Sequence, residues 1–385
     1  MDVCGICDPR FSAVKEAFVR NFEEHGEVGA AVCVIQNGQT VVDLWGGRAD
    51  PATGRPWRQD TLSVIFSCSK GAVALCALVL FDRGLLDFEA PVTTYWPEFG
   101  QNGKEHVTVG MLLNHTSGLP AFRQPLKQHA FYDWDYMVDA LATEAPFWDP
   151  GSQVGYHSFN IGWLGGELVR RVDGRPFDRF FREEIAEPLN LDFWFGVPAS
   201  YEARVAKMLP MVDHPLHLAV TCQPESIAAL QILNSGGFAQ NEEHNLPISH
   251  RACLPAQGGI TNARGLAGMY APLSLGGSTE SVRLVDEETV RLMGRVSSST
   301  ECDLVLGKPY RYSFGFMKSG SWIKSPTTFG HPGAGGSIGF ADPNARLAFG
   351  YVMNQQNHDP ARRQSLVDAV YESLDGGLCI AKSRF

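Results

Sequence analysis

The chain has 385 residues, 44% of them hydrophobic and 19% charged, and its 42 acidic against 32 basic side chains give a formal net charge of -10. That is enough apolar mass for a large core or two domains, and it excludes the disordered and small disulfide-stapled classes. With no basic run beside its aromatic residues, the chain is not expected to bind nucleic acid, and the expected ligand is small and neutral or weakly charged.

Met1 to Pro9 has neither a basic region nor an apolar core of the kind that targets a chain for export. No later stretch is long enough to span a bilayer, so a cytoplasmic location and no membrane partner are expected. The nine cysteines, several inside apolar runs, read as reduced and buried, and Cys4-x-x-Cys7 lacks the second pair that a metal or redox site would need. An amphipathic helix starts at Phe11. From Val28 to Gly47, apolar stretches alternate around Asn37-Gly38, a strong hairpin signal. Ser67-Cys68-Ser69-Lys70 then opens a helix, Gly71 to Phe81, that is apolar all round and must be buried; Gly84 ends it.

Further helices are predicted over Val107 to Leu113, Trp134 to Thr143, Ile161 to Val172 and Phe177 to Ile185. Ala199 to Pro255, rich in proline and glycine, reads as loops. Within it Asp213, His214, His217, Glu242, Glu243 and His244 could be drawn as a metal site, but Pro215 breaks helical presentation and a solvated loop is expected instead. Strands are predicted over Tyr312 to Lys318, Ser337 to Ala341 and Ala345 to Met353, and a helix over Pro360 to Leu374. The pattern predicts an α/β (α+β) fold, a central antiparallel sheet built from both termini and flanked by helices, plus a mostly helical insert. The expected domains are 1–65 with 256–385, and 66–255, with the active cleft between them.

One helical turn between Ser67 and Lys70 puts a hydroxyl beside an amine. Burial disfavours the ammonium, so Lys70 could take the serine proton near neutral pH. The spacing alone proves nothing, since Ser12/Lys15 and Ser321/Lys324 share it. Ser12/Lys15 lies on a polar helix face and Ser321/Lys324 in a turn-rich stretch. Tyr156, in a turn just before a helix, could relay a proton, although Tyr371-x-Ser373 repeats its Tyr-x-Ser pattern. Gly333, Ala334, Gly335 and Gly336 would let backbone amides approach an oxyanion. Phe131, Tyr132, Trp134 and Trp148 are candidates for an apolar pocket wall. Gly335-x-Ser337-x-Gly339 matches a nucleophile elbow, but the strand that follows is not the helix such an elbow requires.

Taken together, the motifs resemble the serine beta-lactamase and penicillin-binding-protein superfamily, and within it the class C-like esterases of carboxylesterase family VIII. Ser67-x-x-Lys70 and Tyr156-x-Ser158 carry the likeness. So do Gly84-Leu-Leu-Asp-Phe-Glu-Ala-Pro91, Tyr95-Trp-Pro-Glu-Phe99, Leu112-Leu-Asn-His-Thr-Ser-Gly-Leu-Pro120, Pro150-Gly151 and Gly258-Gly-Ile-Thr-Asn-Ala-Arg-Gly-Leu-Ala267. The resemblance implies Ser67 as nucleophile, Lys70 as its activating partner and Tyr156 as general base and acid. It also implies the amides of Ser67 and Ala334 as oxyanion hole, Ser158, His331 and Gly333 at the substrate, and no cofactor or metal.

His331 stands where lactamases carry a lysine and would be a weaker, pH-dependent cation. Ser158 replaces a lactamase asparagine and loses its amide. The expected activity is therefore hydrolysis of small to medium acyl esters through a Ser67 acyl-enzyme, with at most weak beta-lactam hydrolysis. An acyltransferase, a D-amino-acid peptidase or amidase, and a non-catalytic scaffold are the alternatives, and the oligomeric state is left open.

Overall fold

Strand Gly29–Gln36 (β2) shows how the sheet is built. Ala31 and Cys33 join one buried cluster while Ala30, Val32 and Val34 join another, so both faces of the strand are covered and its run is apolar without interruption. The computed structural model describes residues 2–211, 220–239 and 243–382, with 375–382 as backbone only. In it β2 pairs with Gln39–Asp50 (β3), and β3 with the N-terminal strand Val3–Cys7 (β1). Three C-terminal strands, Phe329–Pro332 (β4), Ile338–Asp342 (β5) and Leu347–Met353 (β6), complete the order β1-β3-β2-β6-β5-β4, all antiparallel. The sheet is thus assembled from both ends of the chain. Helix Ser12–Glu24 (α1) and the terminal helix Ala361–Lys382 (α7) pack together on one face, tied by Asn21 Nδ2 donating to the Arg362 carbonyl at 3.0 Å.

Helix Ala263–Ser274 (α6) lies on the other face, where the register explains its close approach. Cys33, Gly350, Gly339 and His331 stand opposite one another across four strands and so point to the same face. A Cβ on Gly339 would meet Leu266 at 2.7 Å, and one on Gly350 would meet the Ala263 carbonyl oxygen at 2.5 Å. Beyond α6 lies the helical layer: Lys70–Asp82 (α2), Trp134–Thr143 (α3), Asn160–Asp173 (α4) and Phe177–Phe181 (α5). Helix α2 is buried from Lys70 to Leu80, as its all-apolar sequence requires. A small three-stranded sheet of Ser63–Val64, Ile260–Thr261 and Phe193–Trp194 joins the chain entering this layer to the chain leaving it.

Several elements differ from expectation. Val3–Cys7, for which no strand was expected, forms an edge strand of mostly exposed residues, because an exposed edge needs backbone pairing more than side-chain burial. The strand expected over Tyr312 to Lys318 is broken by Gly315 at φ +81°; Tyr310–Tyr312 pairs instead with Ser298–Thr300. Ala199 to Pro255 is not all loop, since Ile227–Leu233 and Pro247–Arg251 are helical. Cys33, Cys68 and Cys76 are buried, but Cys4, Cys222 and Cys302 are exposed, so the thiols among the described side chains are free without all being internal. No helix among the described residues is long and apolar enough to cross a membrane.

Candidate active site

Ser67 lies not in α2 but in the 3-10 turn Phe66–Ser69 that leads into it. In such a turn side chains three apart eclipse, which sets Lys70 directly over Ser67. The turn starts from strain: Phe66 has φ +45°, a left-handed conformation that a bulky side chain rarely adopts. Hydrogen bonds on every side over-determine it. Ser69 Oγ donates to the Phe66 carbonyl at 2.5 Å and accepts from the Gly259 amide at 2.9 Å, while the Ile65 amide donates to the Gly259 carbonyl at 3.0 Å. Ser337 Oγ donates to the Ile65 carbonyl at 3.0 Å. The serine of the elbow-like motif is therefore a tether for the Ser67 turn, and strand β5 follows it where an elbow would need a helix.

Lys70 Nζ lies 2.9 Å from Ser67 Oγ and 3.0 Å from the Ala256 carbonyl oxygen. It is fully buried, and desolvation holds its pKa well below the ordinary lysine value, opposed only weakly by Cys68. With one N–H directed at Ala256, the amine once deprotonated has a lone pair to turn toward the serine hydroxyl. The Tyr156 ring lies 5.1 Å from Nζ. Burial pushes the Tyr156 phenol up, with a hydrogen bond to Ser67 working the other way, so the resting group keeps its proton. Its backbone is fixed by the amide donating to Asp303 Oδ1 at 3.0 Å and the carbonyl accepting from Gln231 Nε2 at 2.9 Å.

His331 Nδ1 is 2.7 Å from the Pro332 carbonyl, which fixes the proton on Nδ1 and leaves Nε2 as an acceptor 3.5 Å from Tyr156 Oη. Burial and the nearby Lys70 push its pKa down to about 3. The expected pH-dependent cation is thus a neutral imidazole near neutral pH. Gly333 permits contact between this strand end and the Ser67 turn, since a Cβ there would lie 2.3 Å from the Ile65 carbonyl oxygen. Ser67, Tyr156, Ser158, His331, Gly333 and Ala334 all line one cavity of about 560 Å³, ample for a small or medium ester.

The aromatic walls are not those expected. Trp134 Nε1 donates to Glu167 at 2.9 Å, Trp148 Nε1 to the Thr116 carbonyl at 3.1 Å and Tyr132 Oη to Glu243 at 2.6 Å, so their polar ends are occupied internally. Phe131 packs on Trp163 at 4.8 Å. Phe66, Phe159, Phe238 and Tyr310 line the cavity instead.

Sequence reasoning missed Gln257, which lines the cavity with neither the nitrogen nor the oxygen of its buried amide hydrogen-bonded among the described residues; His244, expected in a solvated loop, also lines the cavity, with Nε2 unpaired among the described residues. Gln257 stands one position before the glycine pair of a motif already noted, a signal that could have found it. Asp303 has no such signal. Asp213, His214, His217 and Glu242 lie outside the described residues, and among those described no group of three His, Cys, Asp or Glu could hold a metal.

With this geometry in place, comparison with known proteins is decisive about descent. The beta-lactamase family matches residues 15–371. The chain belongs to the beta-lactamase family. Within the family it is similar to the Esterase/beta-lactamase LipL of Mycobacterium tuberculosis, at 36% identity over 368 residues, covering 92% of this chain and 83% of that one. It also superposes on a crystal structure of a family VIII carboxylesterase with a TM-score of 0.86 and 37% identity, covering 97% of this chain and all of that one. EstA from Arthrobacter nitroguajacolicus Rue61a gives a TM-score of 0.85 at 32% identity, covering 98% and 99% of the two chains. This beta-lactamase-family chain is a hydrolase with the fold expected of its esterase branch.

Proposed function

We propose that the chain hydrolyses small to medium acyl esters through a covalent acyl-enzyme on Ser67. The observation that carries this reading is the desolvated Lys70 amine 2.9 Å from a serine hydroxyl on the wall of an open cavity. The Ser67 Oγ–H proton passes to Lys70 Nζ as Oγ bonds to the ester carbonyl carbon, and the carbonyl oxygen takes the negative charge. The amides of Ser67 and Ala334 hold that oxyanion, with Gly333 keeping the second strand close. Tyr156, protonated at rest, gives its proton to the departing alkoxide and recovers it through Lys70, so the amine is the initiating base and the phenol the relay. Water then attacks the acyl-enzyme by the reverse route. Neutral His331 accepts from Tyr156 rather than gripping an anion, and Ser158 lies beside the substrate. Both features favour esters over beta-lactams.

The division into 1–65 with 256–385 and 66–255, with catalysis in the cleft between, fits this reading, as does action in the cytoplasm on a free small-molecule ester. The test is turnover of p-nitrophenyl butyrate. Ser67→Ala should abolish it, whereas Ser337→Ala, which loses only a tether, should keep folded-state activity within about tenfold. The opposite pattern would overturn the assignment of the nucleophile.

A further inference from the structure

The lining of the cavity runs against the charge of the chain. The protein carries a net charge of -10, yet among the described lining residues are Arg363 and Lys308 and no aspartate or glutamate. Two consecutive arginines of α7 show what is unusual. Arg362 is buried and satisfied: it faces Glu27 at 3.4 Å and donates to the carbonyls of His25, Gly26 and Gln355 at 2.9 Å each. Arg363 is half-buried on the cavity wall and, among the described residues, has no hydrogen bond or ion pair. Asp359 is within electrostatic range of it but makes no ion pair; its Oδ1 accepts from the Ala361 amide at 2.9 Å. Burial pulls Arg363 below the ordinary arginine value, opposed only in part by the nearby Cys68, Tyr310, Tyr351 and Asp359, none of which is hydrogen-bonded or ion-paired to it.

Cys68, next to Ser67, and Tyr310, another lining residue, both lie within electrostatic range of it. With His331 neutral near neutral pH and Lys70 engaged with Ser67 and Ala256, Arg363 and the exposed Lys308 are the cations left on the described cavity wall. Gln257 adds an unpaired amide, and Phe159, Ile232 and Phe238 supply an apolar side.

We infer that the site takes an ester with a carboxylate on one arm, and that Arg363 receives that carboxylate while the apolar wall holds the rest. This rests on the Ser67 acyl-enzyme reading. A guanidinium presents a planar fork matched to a carboxylate, and in a partly desolvated site such a pair is stronger than on a surface. Lys308, an exposed lining residue with Nζ 5.6 Å from the Tyr310 ring, adds a second positive charge that favours the approach of an anion.

Two matched pairs of substrates test it: mono-p-nitrophenyl glutarate against p-nitrophenyl valerate for the acyl arm, and the butyrate esters of glycolate and ethanol for the alcohol arm. Wild type should prefer the charged member of one pair in kcat/KM by about tenfold or more. Arg363→Met should shrink that ratio at least tenfold, and Arg363→Lys should retain most of it. The same ratios read as Kd by calorimetry on Ser67→Ala do not need turnover, so the carboxylate site is tested even if the esterase reading fails. Ratios near one for both pairs in wild type, or a ratio untouched by Arg363→Met, would overturn the inference.

Discussion

Two regions of the molecule carry the same pair of spacings and do different things with them. In the cleft, Ser67-x-x-Lys70 meets Tyr156-x-Ser158. Across the sheet, Ser321-x-x-Lys324 meets Tyr371-x-Ser373 on α7. In the second region every polar group has a partner: Ser321 Oγ donates to Gln364, Lys324 Nζ pairs with Asp368 at 2.6 Å, and Tyr371 Oη donates to Asp342 Oδ2 at 2.7 Å. In the cleft no carboxylate touches Lys70, which has only a hydroxyl and a carbonyl within reach. Spacing is the same in both; the presence or absence of a counter-charge separates an ion pair from the base proposed for Lys70.

Exchanging lysine for arginine breaks this comparison most sharply. A guanidinium keeps its charge at every accessible pH, so it can replace Lys324 but cannot act as a base at Lys70. Lys70→Arg should lower kcat/KM for p-nitrophenyl butyrate by about a thousandfold, with Lys324→Arg within about twofold of wild type. Circular dichroism would confirm that both are folded. Ester turnover surviving in a folded Lys70→Arg would remove the amine from its role as base.

The tyrosines give a smaller contrast of the same kind. Tyr156→Phe should reduce kcat about a hundredfold and leave KM nearly unchanged, because the relayed proton matters in the transition state. Tyr371→Phe should leave kinetics untouched and cost roughly 1 kcal/mol of stability, the worth of one buried hydrogen bond, read from a urea midpoint. Equal kinetic effects at both positions would show that Tyr156 is merely structural.

How much of this was legible beforehand follows from where each signal lies. The all-apolar run after Lys70 announced burial, and burial is what lowers the lysine, so that pair could be read from local sequence alone. His331 could not. Its neutrality depends on a row of small residues, Cys33, Gly350 and Gly339, drawn from three distant strands, which draws α6 close and closes water out from that face. The pocket aromatics were misread for a related reason, since a tryptophan's place depends on where its N–H finds an acceptor, and Glu167 and Thr116 lie 33 and 32 residues from Trp134 and Trp148, beyond what a local pattern can weigh. Arg363 was hidden in an amphipathic helix beside an arginine of identical composition and opposite circumstance. Helix α6 contains Pro272 and many small residues, which masked its periodicity.

The smallest predicted effect concerns stability, and it again sets two regions against each other. His157, beside the cleft, is fixed neutral: Nδ1 lies 2.6 Å from the Gly155 carbonyl, and Nε2 accepts from the Leu119 amide at 3.1 Å. Burial pushes its pKa down to about 4. Unfolded, the imidazole takes a proton near pH 6.5, so between that pH and about 4 the unfolded chain holds more protons and stability falls as pH falls. Glu27, under α7, does the reverse: burial outweighs Arg362 and raises it to about 7. Between its unfolded value near 4.5 and about 7 the folded chain holds the extra proton, so this contribution is full at low pH and is lost as pH rises. Urea midpoints from pH 4 to 8 should therefore show His157→Gln with a weaker acid loss and Glu27→Gln with a weaker loss on the neutral side. Both variants shifting the same limb would mean that the two buried groups titrate as one coupled network across the sheet rather than as separate regions.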